Sequence, residues 1–203
     1  AVVGFLAGLL GIGGGMTLVP FLTLIFTHQG FPLDHVVHMA VATSTATIVF
    51  TAISSAREHH RHGAVRWGIV LGLAPGIIAG SLLGPQIVGR MPTAWLAAFF
   101  GTFVAFSATQ MLLDRKPKPT RELPGKAGLF GVGGAIGLVS SMVGAGGGFL
   151  SVPFMTWCNV KIHNAVATSA ALGLPIALAG TVGFIVAGLS VQGMPPHTLG
   201  YIY

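Results

Sequence analysis

Two glycine runs carry the most suggestive chemistry in the sequence. Residues 11–20 read GIGGGMTLVP and residues 144–153 read GAGGGFLSVP. Gly13, Gly14 and Gly15, like Gly146, Gly147 and Gly148, stand inside long apolar stretches, with Pro20 or Pro153 a turn or so beyond. Consecutive glycines disfavour helix by about 1 kcal/mol each relative to alanine. A helix broken there and resumed at Met16 or Phe149 turns free N–H groups and its positive dipole end toward the gap. That is an anion site made of backbone. Close helix contact through glycine is the competing reading of each run taken alone.

A second pair of strings follows the glycines. Residues 38–44 read HMAVATS and residues 163–169 read HNAVATS. Thr43, Ser44, Thr168 and Ser169 offer neutral donors to an anion, against the ordinary alternative that such hydroxyls bond back to helix carbonyls. His38 and His163 open the two strings and are candidates for a gate or proton relay. The cluster Glu58-His59-His60-Arg61-His62 has metal-binding residue types, but Arg57, Arg61 and Arg66 surround it and no repeated partner exists, so a solvated cytoplasmic loop is expected. No metal site and no cofactor are expected. The four acidic residues, Asp34, Glu58, Asp114 and Glu122, all lie in connectors. A cation carrier normally needs a carboxylate within the membrane.

The elements that must hold these residues are membrane helices. Only 7% of residues are charged, 53% are apolar and the mean hydropathy is +0.83. A soluble domain carries about 25% charged residues. Six runs, at 1–26, 36–56, 67–89, 91–113, 127–160 and 162–196, contain no Lys, Arg, Asp or Glu. About 20 apolar residues suffice to span a bilayer. The formal charge of +6 does not indicate nucleic acid, because the basic residues occupy short connectors, as in the positive-inside pattern. The single Cys158 permits no internal disulfide.

The two motifs recur in the same order, so the chain reads as two homologous halves. Residues 1–113 form a first membrane repeat, 114–126 a basic cytoplasmic linker and 127–203 a second repeat. Aligning the repeats leaves the first lacking an N-terminal portion and the second lacking C-terminal segments. The 34-residue run 127–160 would measure about 51 Å as straight helix, well beyond a ~30 Å hydrocarbon core. Entry and return at each glycine run would make the repeats inverted, and loop charge favours that arrangement. The expected fold is therefore an all-α integral membrane protein, a polytopic bundle of two inverted repeats with Gly-broken helices. No nucleophile–base pair, phosphate loop or metal-ligand spacing points to an enzyme.

The duplicated G-[IA]-GGG-x-x-x-VP followed by AVATS resembles the sulfite exporter TauE/SafE family, also called toluene-sulfonate uptake permeases. The resemblance covers nearly the whole chain. It implies a multi-pass permease of a bacterial-type inner membrane, handling sulfite, sulfoacetate or another organosulfonate; alternating access by the two halves is the expected mechanism. Its partners would be a small anionic substrate and the lipid bilayer, and it specifies no oligomeric state. The rival readings are a divalent metal cation carrier using the histidines and a non-transporting membrane subunit.

Overall fold

The computed structural model describes residues 15–112, 122–191 and 194–203. Gly13, Gly14 and residues 114–121 of the linker lie outside the described residues. The described residues form α1 (Gly15–His28), α2 (Val36–Arg61), α3 (Trp67–Val88), α4 (Thr93–Leu112), α5 (Lys126–Val143), α6 (Gly148–Trp157) and α7 (Ile162–Gly188), with no strand. Four of them, α2, α3, α5 and α7, are long and apolar enough to cross a membrane. Leu24, Phe50, Leu71, Ile78, Phe130 and Val182 stay exposed on these helices and on α1, as side chains bordered by lipid do.

Packing fixes the direction of each helix. Asn164 Nδ2 donates to the Ala64 carbonyl at 2.9 Å, while farther along a Cβ on Gly173 would meet Ala52 and one on Gly180 would meet Thr45. Helices α2 and α7 therefore run antiparallel. Helix α3 runs parallel to α7, since the Arg66 amide meets Thr168 and Gln86 donates to the Gly183 carbonyl. It also runs parallel to α5. Gly76 and Gly80 of α3 face Phe130 and Gly134, and Gly84 faces Leu138 and Ser141.

The charge-free run 127–160 is two helices rather than one. Helix α5 stops at Val143, and the ten residues of α6 extend about 15 Å, half the hydrocarbon core. Leu129 near the start of α5 and Cys158–Val160 after α6 line one cavity of about 670 Å³ with Val65–Ile69. The pair thus enters and returns to the same end of the bundle. Helix α1 leads the other way, carrying Phe26 to an aromatic cluster with Phe31 and Tyr203.

Glu58–Arg61 belong to the last turn of α2, not to a loop. The end of the charge-free run at residue 56 marks the edge of the hydrocarbon, and this helix continues past it. Arg61 and His62 lie at 3.9 and 3.1 Å from Glu58, and Trp67 Nε1 donates to His60 Nδ1 at 3.1 Å.

Arg57, Arg61, Arg66, Lys126 and Lys161 gather at the end of the bundle where α5 enters, whereas Arg90 stands at the opposite end. This basic end is expected to face the cytoplasm. In a Cys158→Ala background, impermeant maleimide added to intact cells should label Arg90→Cys but not Lys161→Cys. The reverse pattern would invert the assignment.

Candidate functional site at the glycine junction

Residues 144–147 form the joint between α5 and α6. Gly144 has φ +68° and Gly147 φ +77°, both in the left-handed region that a Cβ disfavours. The Ala145 amide closes α5 by donating to the Ser140 carbonyl at 3.0 Å. The Gly147 carbonyl opens α6, accepting from the amides of Leu150 at 3.2 Å and Ser151 at 3.0 Å. The amides of Gly148 and Phe149 fall in the first turn, where α6 itself has no carbonyl to offer them.

Gly15, the described residue of the first glycine run, meets the second run at this joint. A Cβ built on Gly15 would fall on the Gly144 carbonyl oxygen and against Ile48. Ser44 Oγ donates to the Gly15 carbonyl at 3.1 Å. Across the joint, Ser151 Oγ lies 2.8 Å from Ser169 Oγ and 2.9 Å from the Gly147 carbonyl. Each hydroxyl has one proton, so a relay from Ser169 to Ser151 to the Gly147 carbonyl satisfies both contacts. Ser44, Ser140, Ser151 and Ser169 are all buried. The junction thus collects Gly15, residues 144–148 and four serines from α2, α5, α6 and α7.

Thr43 and Thr168 are engaged elsewhere. Thr168 Oγ1 accepts the Arg66 amide at 3.0 Å and Thr43 Oγ1 accepts the Tyr203 amide at 3.1 Å. The two histidines also differ. His38 is buried, with Nε2 at 3.0 Å from both the Val88 and the Met91 carbonyls, whereas His163 is exposed on the first turn of α7. Ser140, Gly144 and Ser151 were not singled out from the sequence. Ser151 is one α-helical turn after Gly147, a spacing that brings its hydroxyl back to that carbonyl.

No charged side chain is supplied to the junction by residues 36–56, 67–88, 127–160 or 162–188. Its polar character comes from serine hydroxyls, carbonyls and the start of α6. In general, neutral donors bind an anion without the full opposite charge that would trap it.

Residues 1–202 match the family described as Sulfite exporter TauE/SafE. This chain belongs to the TauE/SafE family. A probable membrane transporter protein of Haemophilus influenzae is 38% identical to it over 205 residues, covering 100% of this chain and 77% of the relative. One from Methanocaldococcus jannaschii is 28% identical, covering 100% and 72%. Another, YdhB of Bacillus subtilis, is 27% identical, covering 91% and 76%. No solved structure matches. The chain is thus a TauE/SafE membrane transporter, a polytopic protein of the plasma membrane.

Proposed function

We propose that this TauE/SafE transporter moves a small sulfur oxyanion or organosulfonate by alternating access, with the glycine junction as its anion site. The observation that carries the reading is the meeting of Gly15 with residues 144–148 beside the start of α6, walled by buried serines and free of charged side chains. An oxyanion leaving water must regain hydrogen bonds, and the first-turn amides of α6 are donors of that kind.

The reading makes α1–α2 and α6–α7 inverted repeats. From the junction α1 heads toward the Arg90 end and α6 toward the basic end, and α2 opposes α7. Rocking of one pair against the other would expose the junction to each side in turn.

Two glycines separate transport from packing. A Cβ on Gly146 would meet only Ile48 at 3.8 Å, and one on Gly148 only Ser169 Oγ at 3.3 Å, and neither has positive φ. Gly146→Ala should therefore fold normally, and Gly148→Ala should fold with a shift of Ser169 by a few tenths of an ångström. Both should slow sulfite or sulfoacetate flux in proteoliposomes by on the order of tenfold, the loss expected when a methyl group displaces about one hydrogen bond to the anion. Unchanged flux in both variants would reduce the glycines to a packing role. Divalent-metal flux by the wild-type protein, with none of sulfite, would favour the histidine-based carrier instead.

A further inference from the structure

Thr43 and Thr168 stand at the same place in the two AVATS strings, and each accepts a backbone amide from the segment that follows the other string's helix. Arg66, between α2 and α3, donates its amide to Thr168 of α7 at 3.0 Å. Tyr203, after α7, donates its amide to Thr43 of α2 at 3.1 Å. The exchange is crosswise, and the two bonds lie at opposite ends of the bundle.

Each bond is embedded in a seal. At the basic end, Asn164 Nδ2 also holds the Ala64 carbonyl, pinning the 62–66 connector across the start of α7. At the other end, Tyr203 packs edge-on against Phe26 and Phe31 with ring centroids 5.7 and 5.0 Å apart. Tyr201 is buried there and stacks on His38 at 5.4 Å. The residues next to the two threonines are Ser44 and Ser169, which reach the glycine junction. One helical position therefore faces a connector and its neighbour faces the junction, since successive helical residues are turned by about 100°.

We infer that the Arg66–Thr168 and Tyr203–Thr43 hydrogen bonds are two latches, one for each entrance to the junction. The inference rests on the transport reading above and gives the threonines a gating role in it. Both latches are closed in this structure. Opening toward the basic end breaks the Arg66 latch and keeps the Tyr203 latch, and opening the other way does the reverse. The donor on each connector is backbone, so Arg66 and Tyr203 perform the same task with unlike side chains. One amide–hydroxyl bond shifts a two-state equilibrium by on the order of fivefold, enough to bias an entrance toward the closed state and weak enough to reopen.

Cysteine accessibility tests this without substrate. In a Cys158→Ala background, Ser169→Cys and Ser44→Cys serve as reporters, probed with impermeant maleimide on inside-out and right-side-out vesicles. Thr168→Val should raise labelling of the Ser169→Cys reporter from the basic end by on the order of fivefold and leave the other side unchanged. Thr43→Val should do the converse for the Ser44→Cys reporter. Thr168→Ser, which keeps the hydroxyl, should label like the parent. Arg66→Pro deletes the donor without touching Thr168 and should reproduce Thr168→Val, so a folding defect in one variant leaves the other to decide. Equal labelling changes from both sides, or none from either in a well-folded variant, would overturn the latch assignment. Because no substrate is present, side-specific labelling alongside absent sulfite flux would retain the latches and reject the sulfur-anion reading.

Discussion

Gly80→Ile should cost this protein more stability than any substitution of an exposed residue, and detergent-solubilised material should unfold well below the wild-type temperature. Gly76, Gly80 and Gly84 recur at four-residue spacing along one face of α3, which lies on α5. A Cβ at Gly76 would fall on the Phe130 carbonyl oxygen and one at Gly80 on that of Gly134. From the facing side, Gly133 and Gly137 present the same conflict to the carbonyls of Leu73 and Ile77. Here backbone meets backbone, so no rotamer change relieves the clash and the helices must separate. Small residues permitting such approach are the usual basis of helix association in lipid. Overpacking where side chains can yield costs about 1–3 kcal/mol, and a backbone conflict belongs at or above that upper end. Separation would also stretch the 3.2 Å bond from Ser81 Oγ to the Gly137 carbonyl. Gly131→Ile supplies the control, because nothing lies within 4 Å of a Cβ there. Equal melting temperatures for the two variants would show that the glycine contacts do not hold α3 to α5. Since α3 bears Arg66 just before it and Val88 at its other end, its displacement should disturb both entrances.

Membrane character and family were legible in the sequence because the first depends on composition and the second on motifs that recur along the chain. Three-dimensional grouping was less so. Thr43 with Ser44, and Thr168 with Ser169, looked like single donor pairs, yet the helical turn between neighbours sends one to a connector and the other to the junction. Ser151 was hidden by the repeat itself, because Leu18 stands opposite it in the first copy. The stripe Gly76-x-x-x-Gly80-x-x-x-Gly84 was readable by its spacing but was overshadowed by the triple-glycine runs. Charges from Arg57 onward suggest a loop, yet α2 runs through Arg61, because a run of charges marks the membrane surface and not the end of a helix. Which glycine of a run takes positive φ is set by where α5 must end and α6 turn back, and composition carries no record of that.

His38→Ala should destabilise the protein strongly while His163→Ala should leave it within about 0.5 kcal/mol of wild type, although the two residues open matching strings. The difference lies in their surroundings. His38 is 2% exposed. Its Nε2 is 3.0 Å from both the Val88 and the Met91 carbonyls, so an Nε2–H proton serves the end of α3 and the turn into α4 together. The ring also stacks on Tyr201 with an interplanar angle of 22°. Alanine would remove the donor and the stacked ring at once, taking the Nε2 bond from the Val88 carbonyl, which keeps the Met91 amide, and from the half-buried Met91 carbonyl, and leaving a cavity beside Tyr201. Those losses are of order 3–5 kcal/mol together. His38→Phe should be milder, since an aromatic ring fills the space and only the hydrogen bonds are lost, about 1–3 kcal/mol. Such a graded series, measured by thermal unfolding, marks a residue that fastens the Tyr201 segment and the α3–α4 turn to α2. A proton relay predicts a different order: His38→Ala and His38→Phe would both fold stably and both fail to transport in proteoliposomes. Native stability with abolished flux in the phenylalanine variant would therefore return His38 to a role in proton movement, and parallel loss in His163→Ala would extend that role to the pair.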